Sequence, residues 1–175
     1  MKAIQKISLL FTVCALCLVA LFSNTSCNIY KFNEVVIPAN INTVKIIQLN
    51  NTAQYKNPQI TQKLTDKIRQ KVIGQTRLSQ TNSDNADWEI SGTITQYSFS
   101  TSAISGQQVA TNRLTISVHI IKNDNVETKK DEYDVTRSFE FKGTQSFQQA
   151  ENTLMDEMTR TLTDEIFNKL FSNWQ

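Results

Sequence analysis

Residues 146–174 read SFQQAENTLMDEMTRTLTDEIFNKLFSNW. Ala150, Leu154, Met158, Leu162, Ile166, Leu170 and Trp174 recur every four residues in this stretch, which lays one apolar stripe along an α-helix. Ser146 occupies the N-cap position, and Gln149, three residues on, completes a capping-box pattern. The stripe predicts a helix over about 147–172, roughly 39 Å long at ~1.5 Å per residue. A helix of that length buries its stripe only against comparably long strands.

The preceding residues supply such strands. Trp88, Ile90 and Ile94 alternate along 86–100 and then give way to Tyr97 and Phe99, a change of parity that predicts a bulge near Gln96. Leu114, Ile116, Val118 and Ile120 alternate along 109–122, and Tyr133, Val135, Phe139 and Phe141 along 130–142. The Ser, Gly and Gln residues of 101–108 read as a loop, and Asn123-Asp124-Asn125 as a turn. These three strands form an antiparallel meander. Upstream, Asn57 and Pro58 open a helix as cap and first residue. Its stripe is Ile60, Leu64, Ile68 and Val72, and Gly74 ends it or is tolerated in its last turn. Thr43 to Leu49 is a short β-branched strand closed by Asn50-Asn51.

The order is therefore β-α-β-β-β-α. Each helix has one apolar stripe and each strand one apolar face, so the fold class is α+β. Two layers satisfy every face: one mixed four-stranded sheet with both helices on one side. The crossover between the first two strands is right-handed if they are parallel.

Composition narrows the function. Charged residues are 19% of the 175, hydrophobic ones 39%, with four glycines and two prolines; this excludes collagen-like, mucin-like and highly charged disordered chains. The formal net charge is +2, and residues 1–26 carry Lys2 and Lys6 without an acid. Removing these two from 18 basic residues leaves 16, against 16 acidic ones. A chain so balanced lacks the basic excess that nonspecific nucleic-acid binding requires.

The two lysines precede an uncharged, mostly apolar run of 16 residues, Ile7 to Phe22. That is short for a membrane span, which takes about 20 residues, and it fits a secretory leader. Cys14 and Cys17 lie inside the run, and Cys27 follows Ser23-Asn24-Thr25-Ser26. With the leader removed, one cysteine remains and no internal disulfide is possible. A lone cysteine immediately after a leader resembles the acylation site of bacterial lipoproteins; Ser26 suits the cleavage position, while Asn24 stands where an apolar residue is usual. The alternative is an ordinary cleaved leader with a free thiol. The expected boundaries are 1–26 for the leader, 27–42 for a lipidated N-terminus and tether, and 43–175 for one domain. Asn28 follows the cysteine where an aspartate would signal retention in the inner membrane.

No catalytic constellation emerges. The single histidine, His119, shares strand parity with Thr115 and Ser117 on the polar face. One histidine and one cysteine support no zinc site, and Asp84 and Asp87 lack the calcium-loop pattern. No cofactor is expected beyond the lipid on Cys27. Asp156, Glu157, Asp164 and Glu165 read as a solvated helix face. Two features carry charge in notable places. Arg137 shares the parity of Tyr133, Val135, Phe139 and Phe141, as a snorkelling edge residue or as an anion contact. Lys122, Lys129 and Lys130 flank the 123–128 turn, as solvated turn residues or as contacts to the phosphates of an anionic lipid.

Taken in order, short motifs across the chain resemble the LptE family of lipopolysaccharide-assembly lipoproteins. They are Cys27 with Tyr30 and Phe32; Asn51-Thr52-Ala53 with Pro58; Gln75-Thr76-Arg77-Leu78; Gly92-Thr93-Ile94 with Tyr97; Asn112-Arg113-Leu114-Thr115-Ile116 with Val118; and Ile166-Phe167-Asn168-Lys169-Leu170 with Asn173-Trp174. The resemblance implies a small two-layer lipoprotein at the inner leaflet of the outer membrane, facing the periplasm. It implies a non-enzymatic protein that plugs a large β-barrel partner of the LptD type and contacts lipopolysaccharide during its insertion. Arg113 joins Lys122, Lys129, Lys130 and Arg137 as candidate lipopolysaccharide contacts on charge and placement. Two other roles suit an anchored small domain: a pilotin-like escort for another outer-membrane complex, and a lipoprotein subunit of a phospholipid-transport system, which would need an apolar cavity.

Overall fold

A computed structural model describes residues 37–105 and 108–172. The expected leader, Cys27, tether residues 28–36 and Trp174 lie outside the described residues. The elements are β1 (Thr43–Ile46), β2 (Asn50–Asn51), α1 (Pro58–Gln75), β3 (Ser79–Gln80), β4 (Trp88–Ser105), β5 (Gln108–Asp124), β6 (Lys129–Lys142) and α2 (Phe147–Phe171).

Both helices start as their sequences dictate. Asn57 Oδ1 accepts the Gln59 N–H at 2.8 Å, with Pro58 in the first turn. At α2 the reciprocal capping box forms between Ser146 and Gln149. Gly74 is tolerated inside the last turn of α1 rather than ending it. Buried threonines on both helices satisfy their hydroxyls on the preceding turn, Thr65 on Thr61 O (2.7 Å) and Thr163 on Thr159 O (2.6 Å).

Among the described residues the sheet has six strands, not the expected four. Its order is β3-β1-β4-β5-β6, and β2 also pairs with β4. β1 lies parallel to Trp88–Ile90 and β2 parallel to Thr93–Ile94, so the two form an interrupted strand along one edge of β4. Asn50-Asn51, expected to close the first strand, instead makes this second short pairing. β3 adds two residues outside β1. The expected loop at 101–108 is corrected too: β4 runs to Ser105 and β5 starts at Gln108, because cross-strand pairing carries the ladder through a stretch whose composition reads as a turn. The register slips between Ile94 and Gln96, so Thr95 is the bulged residue and Tyr97 returns to the core face, as the parity change predicts.

One core cluster joins the two stripes to the inner sheet residues, including Val44, Ile90, Ile94, Leu114, Ile116, Val118, Ile120, Leu64, Ile68, Met158, Leu162 and Ile166. Each such aliphatic side chain contributes about 1.5–3 kcal/mol when fully buried. Both helices therefore cover the same side of the sheet. The other side of β4, β5 and β6 faces outward.

Candidate functional site

The outward side of the meander is a field of hydroxyls held by hydrogen bonds across the strands. Thr115 meets Ser138 (2.9 Å), and Ser117 meets both Thr136 (2.8 Å) and Gln96 (3.1 Å). His119 lies in this row with Nδ1 2.8 Å from Asp134 and Nε2 3.4 Å from Glu132. The Ser117 hydroxyl is engaged by Gln96 and Thr136 rather than by His119, so the geometry is a cross-strand ladder, not a nucleophile and base.

Each of the five candidate cations meets a carboxylate of the chain. Arg113 lies at one end of the open face, 2.9 Å from Glu140, and also bonds Ser102. This contact holds the Glu140 carboxyl below its ordinary range. At the β5–β6 tip, Asp131 receives both Lys122 (3.2 Å) and Lys129 (3.1 Å), and Glu132 receives Lys130 (2.6 Å). Burial pushes Asp131 up, but the hydrogen bonds from Lys129 and Lys122 outweigh it and leave its carboxyl lowered. Lys122 lies on the core side, its side chain 12% exposed and its ammonium 4.7 Å from the Trp88 ring centroid. Arg137 sits opposite Ile116 on the helix side of edge strand β6 and pairs with Glu165 of α2. The structure brings Lys122, Lys129 and Lys130 together at one tip, and leaves Arg113 and Arg137 on opposite sides of the sheet.

Two carboxylates whose burial the sequence does not announce are Asp124, within the expected turn, and Glu151. Asp124 accepts the Trp88 indole N–H at 2.8 Å and the backbone N–H groups of Val126 and Glu127, so it builds the tip from within. Glu151 accepts from Tyr97 (2.6 Å), Asn57 (2.6 Å) and Tyr55 (3.3 Å). Burial, reinforced by Glu151, pushes the Tyr97 hydroxyl far above its ordinary pKa, so it remains a donor. The acids weighed for calcium have other partners: Asp84 meets Lys45, and Asp87 accepts the Asn42 and Thr43 N–H groups. Among the described residues, no group of three or more His, Cys, Asp or Glu side chains is placed to hold a metal ion. Among the same residues, no helix is long and apolar enough to cross a membrane.

Comparison with solved structures finds similarity to distant proteins, and the first two below, at TM-scores of 0.50 or more, share the fold. The hypothetical protein CT253 from Chlamydia trachomatis matches at a TM-score of 0.52 and 9% identity, over 74% of this chain and 95% of that one. A PelC dodecamer subunit from Paraburkholderia phytofirmans matches at a TM-score of 0.50 and 10% identity, over 80% and 95%. Rare lipoprotein B from Shewanella oneidensis matches at 15% identity and a TM-score of 0.42, over 74% and 93%. A search of curated proteins finds no match. The family model described as "LptE: Lipopolysaccharide-assembly" matches residues 41–170, from two residues before β1 to the last turn of α2. By that match the chain belongs to the LptE family of lipopolysaccharide-assembly proteins.

Proposed function

We propose that this chain is an acylated lipoprotein of the outer membrane that docks in the lumen of a large β-barrel of the LptD type and assists lipopolysaccharide insertion. The observation that carries the reading, beside family membership, is the outward face of β4, β5 and β6. Its side chains are mostly neutral hydrogen-bonding groups already paired with one another. Such a face suits the polar interior of a membrane barrel. A permanent plug of this kind buries well above ~2,000 Å². Residues 1–26 act as the leader, and acyl chains on Cys27 hold residues 27–42 to the membrane; more than one chain is needed for a stable anchor.

The chain acts by binding and works without a catalytic step or a cofactor. Lys122, Lys129, Lys130, Arg113 and Arg137 are the proposed lipopolysaccharide contacts. Because each has a carboxylate partner, a lipid phosphate gains them by exchange rather than by filling a vacant cation site. Two grooves among the described residues, around Arg137 and around Lys67, are lined by polar and charged residues, which does not suit them to lipid tails.

Depletion with fractionation tests this. Depleting the protein lowers surface lipopolysaccharide, and Cys27→Ser moves it from the membrane to the soluble fraction. Unchanged surface lipopolysaccharide together with an unchanged fraction would overturn the reading.

A further inference from the structure

A second set of cations lies on the helix side of the molecule, in a groove between the helices. α1 and α2 run parallel, since Asn57 at the start of α1 reaches Glu151 and Lys71 near its end reaches Asp164. The two pairs are separated by 94 and 93 residues in sequence, so the helices stay in step. The same offset sets Lys67 level with Arg160. Both line a groove of about 380 Å³ with Gln70, Lys71, Gly74 and Asp164.

Three observations point to an anion. The first is charge: three cations line the groove against one carboxylate, and that carboxylate, Asp164, is taken by Lys71 at 2.7 Å. Among the described residues neither Lys67 nor Arg160 joins an ion pair. The second is position. Neither residue complements a helix dipole, an effect confined to the last turn: the last turn of α1 holds no basic residue, and Arg160 lies in the middle of α2. Lys67 and Arg160 face the groove as like charges from the two helices, and an anion between them would relieve that repulsion. The third is Gly74. It lies within helical backbone, and a Cβ added there would meet nothing within 4 Å. Neither conformation nor packing requires a glycine, although glycine weakens a helix. Its one evident effect is to leave the groove wall bare.

We propose that this groove binds a phosphoryl anion. Arg160 offers a planar fork and Lys67 a point charge from the facing helix. Lys71, held by Asp164 and lying over the Phe167 ring at 5.2 Å, bounds the site, and Gly74 gives the ligand room. The phosphoryl group is either free in solution or carried on a lipid head; both present the same oxygens. The groove shares no lining residue with the hairpin cations.

The test is calorimetric titration of the purified full chain in a nonionic detergent. One arm uses inorganic pyrophosphate, and the other dihexanoyl phosphatidylglycerol below its micellar concentration. Binding of pyrophosphate alone identifies a free anion, and tighter binding of the lipid identifies a head group; either supports the site. Lys67→Gln with Arg160→Gln is expected to weaken binding by about tenfold or more. Gly74→Ala is expected to raise the melting temperature and still weaken binding, which separates site from fold. Lys129→Gln with Lys130→Gln is expected to bind as the parent does. Absence of binding in both arms, or undiminished binding by the Lys67 and Arg160 variant, would overturn the proposal.

Discussion

Tyr97 donates its hydroxyl hydrogen to Glu151 at 2.6 Å, inside the layer between sheet and helix. That bond ties β4 to α2, and the bond from Asn57 to the same carboxylate ties in the start of α1. Three elements distant in sequence thus meet on one buried side chain. Glu151→Ala leaves the Tyr97 hydroxyl and the Asn57 amide without their acceptor. The expected loss is about 2–4 kcal/mol, read by urea denaturation. A loss under half of that would mean that water replaces the carboxylate.

Gly92 faces Ile120 across the β4–β5 ladder. A Cβ there would stand 2.5 Å from Ile120 Cδ1 and 3.1 Å from the His119 carbonyl oxygen. The isoleucine end can rotate away, but the carbonyl is fixed by the ladder. Gly92→Ala is therefore expected to destabilise the domain by about 1–3 kcal/mol. Gly74→Ala is expected to do the opposite, so the pair of melting temperatures checks both statements at once.

Thr128 closes the β5–β6 turn at φ 55°, a left-handed conformation that opposes a β-branched side chain. Asparagine enters this region more readily, without the added freedom glycine brings to the unfolded chain. Thr128→Asn is expected to stabilise by about 0.5–1 kcal/mol, measured by thermal denaturation.

The open-face pair gives a pH prediction. Arg113 holds the Glu140 carboxyl below its ordinary 4.5. A carboxylate lowered in the folded state adds stability above its unfolded pKa and loses it as pH falls through the lower folded value. Arg113→Gln removes the largest cause of that lowering and leaves the Ser102 hydrogen bond. The melting temperature of the variant should fall less steeply than the parent's between about pH 5 and pH 3, and differ little at pH 7, where an exposed pair contributes little. Parallel curves would contradict the assignment.

Local patterns were the legible part of this chain. The stripe from Ala150 to Leu170, the Ser146 capping box, the Asn57-Pro58 start and the parity change before Tyr97 each depend on residues within a turn or two, and each has its counterpart in the structure. What escaped was set by distant partners. β2 and β3 are two residues long and exist only because β4 and β1 pair with them. The Ser- and Gln-bearing residues after Ser100 are strand because the opposite strand continues the ladder. Charge was legible and neutralisation was not. Glu165 and Asp164 read as a solvated helix face, yet they meet Arg137 and Lys71. Glu151 gave a faint sign, since it adjoins the stripe residue Ala150. Asp124 gave none, because an aspartate between two asparagines reads as a turn.

The central claim is the barrel partnership, and isolation of the tagged native protein in gentle detergent, followed by mass spectrometry of what stays bound, tests it most directly. The account predicts a stoichiometric large β-barrel of the LptD type. A secretin, a phospholipid-transport complex or no stable partner would contradict it.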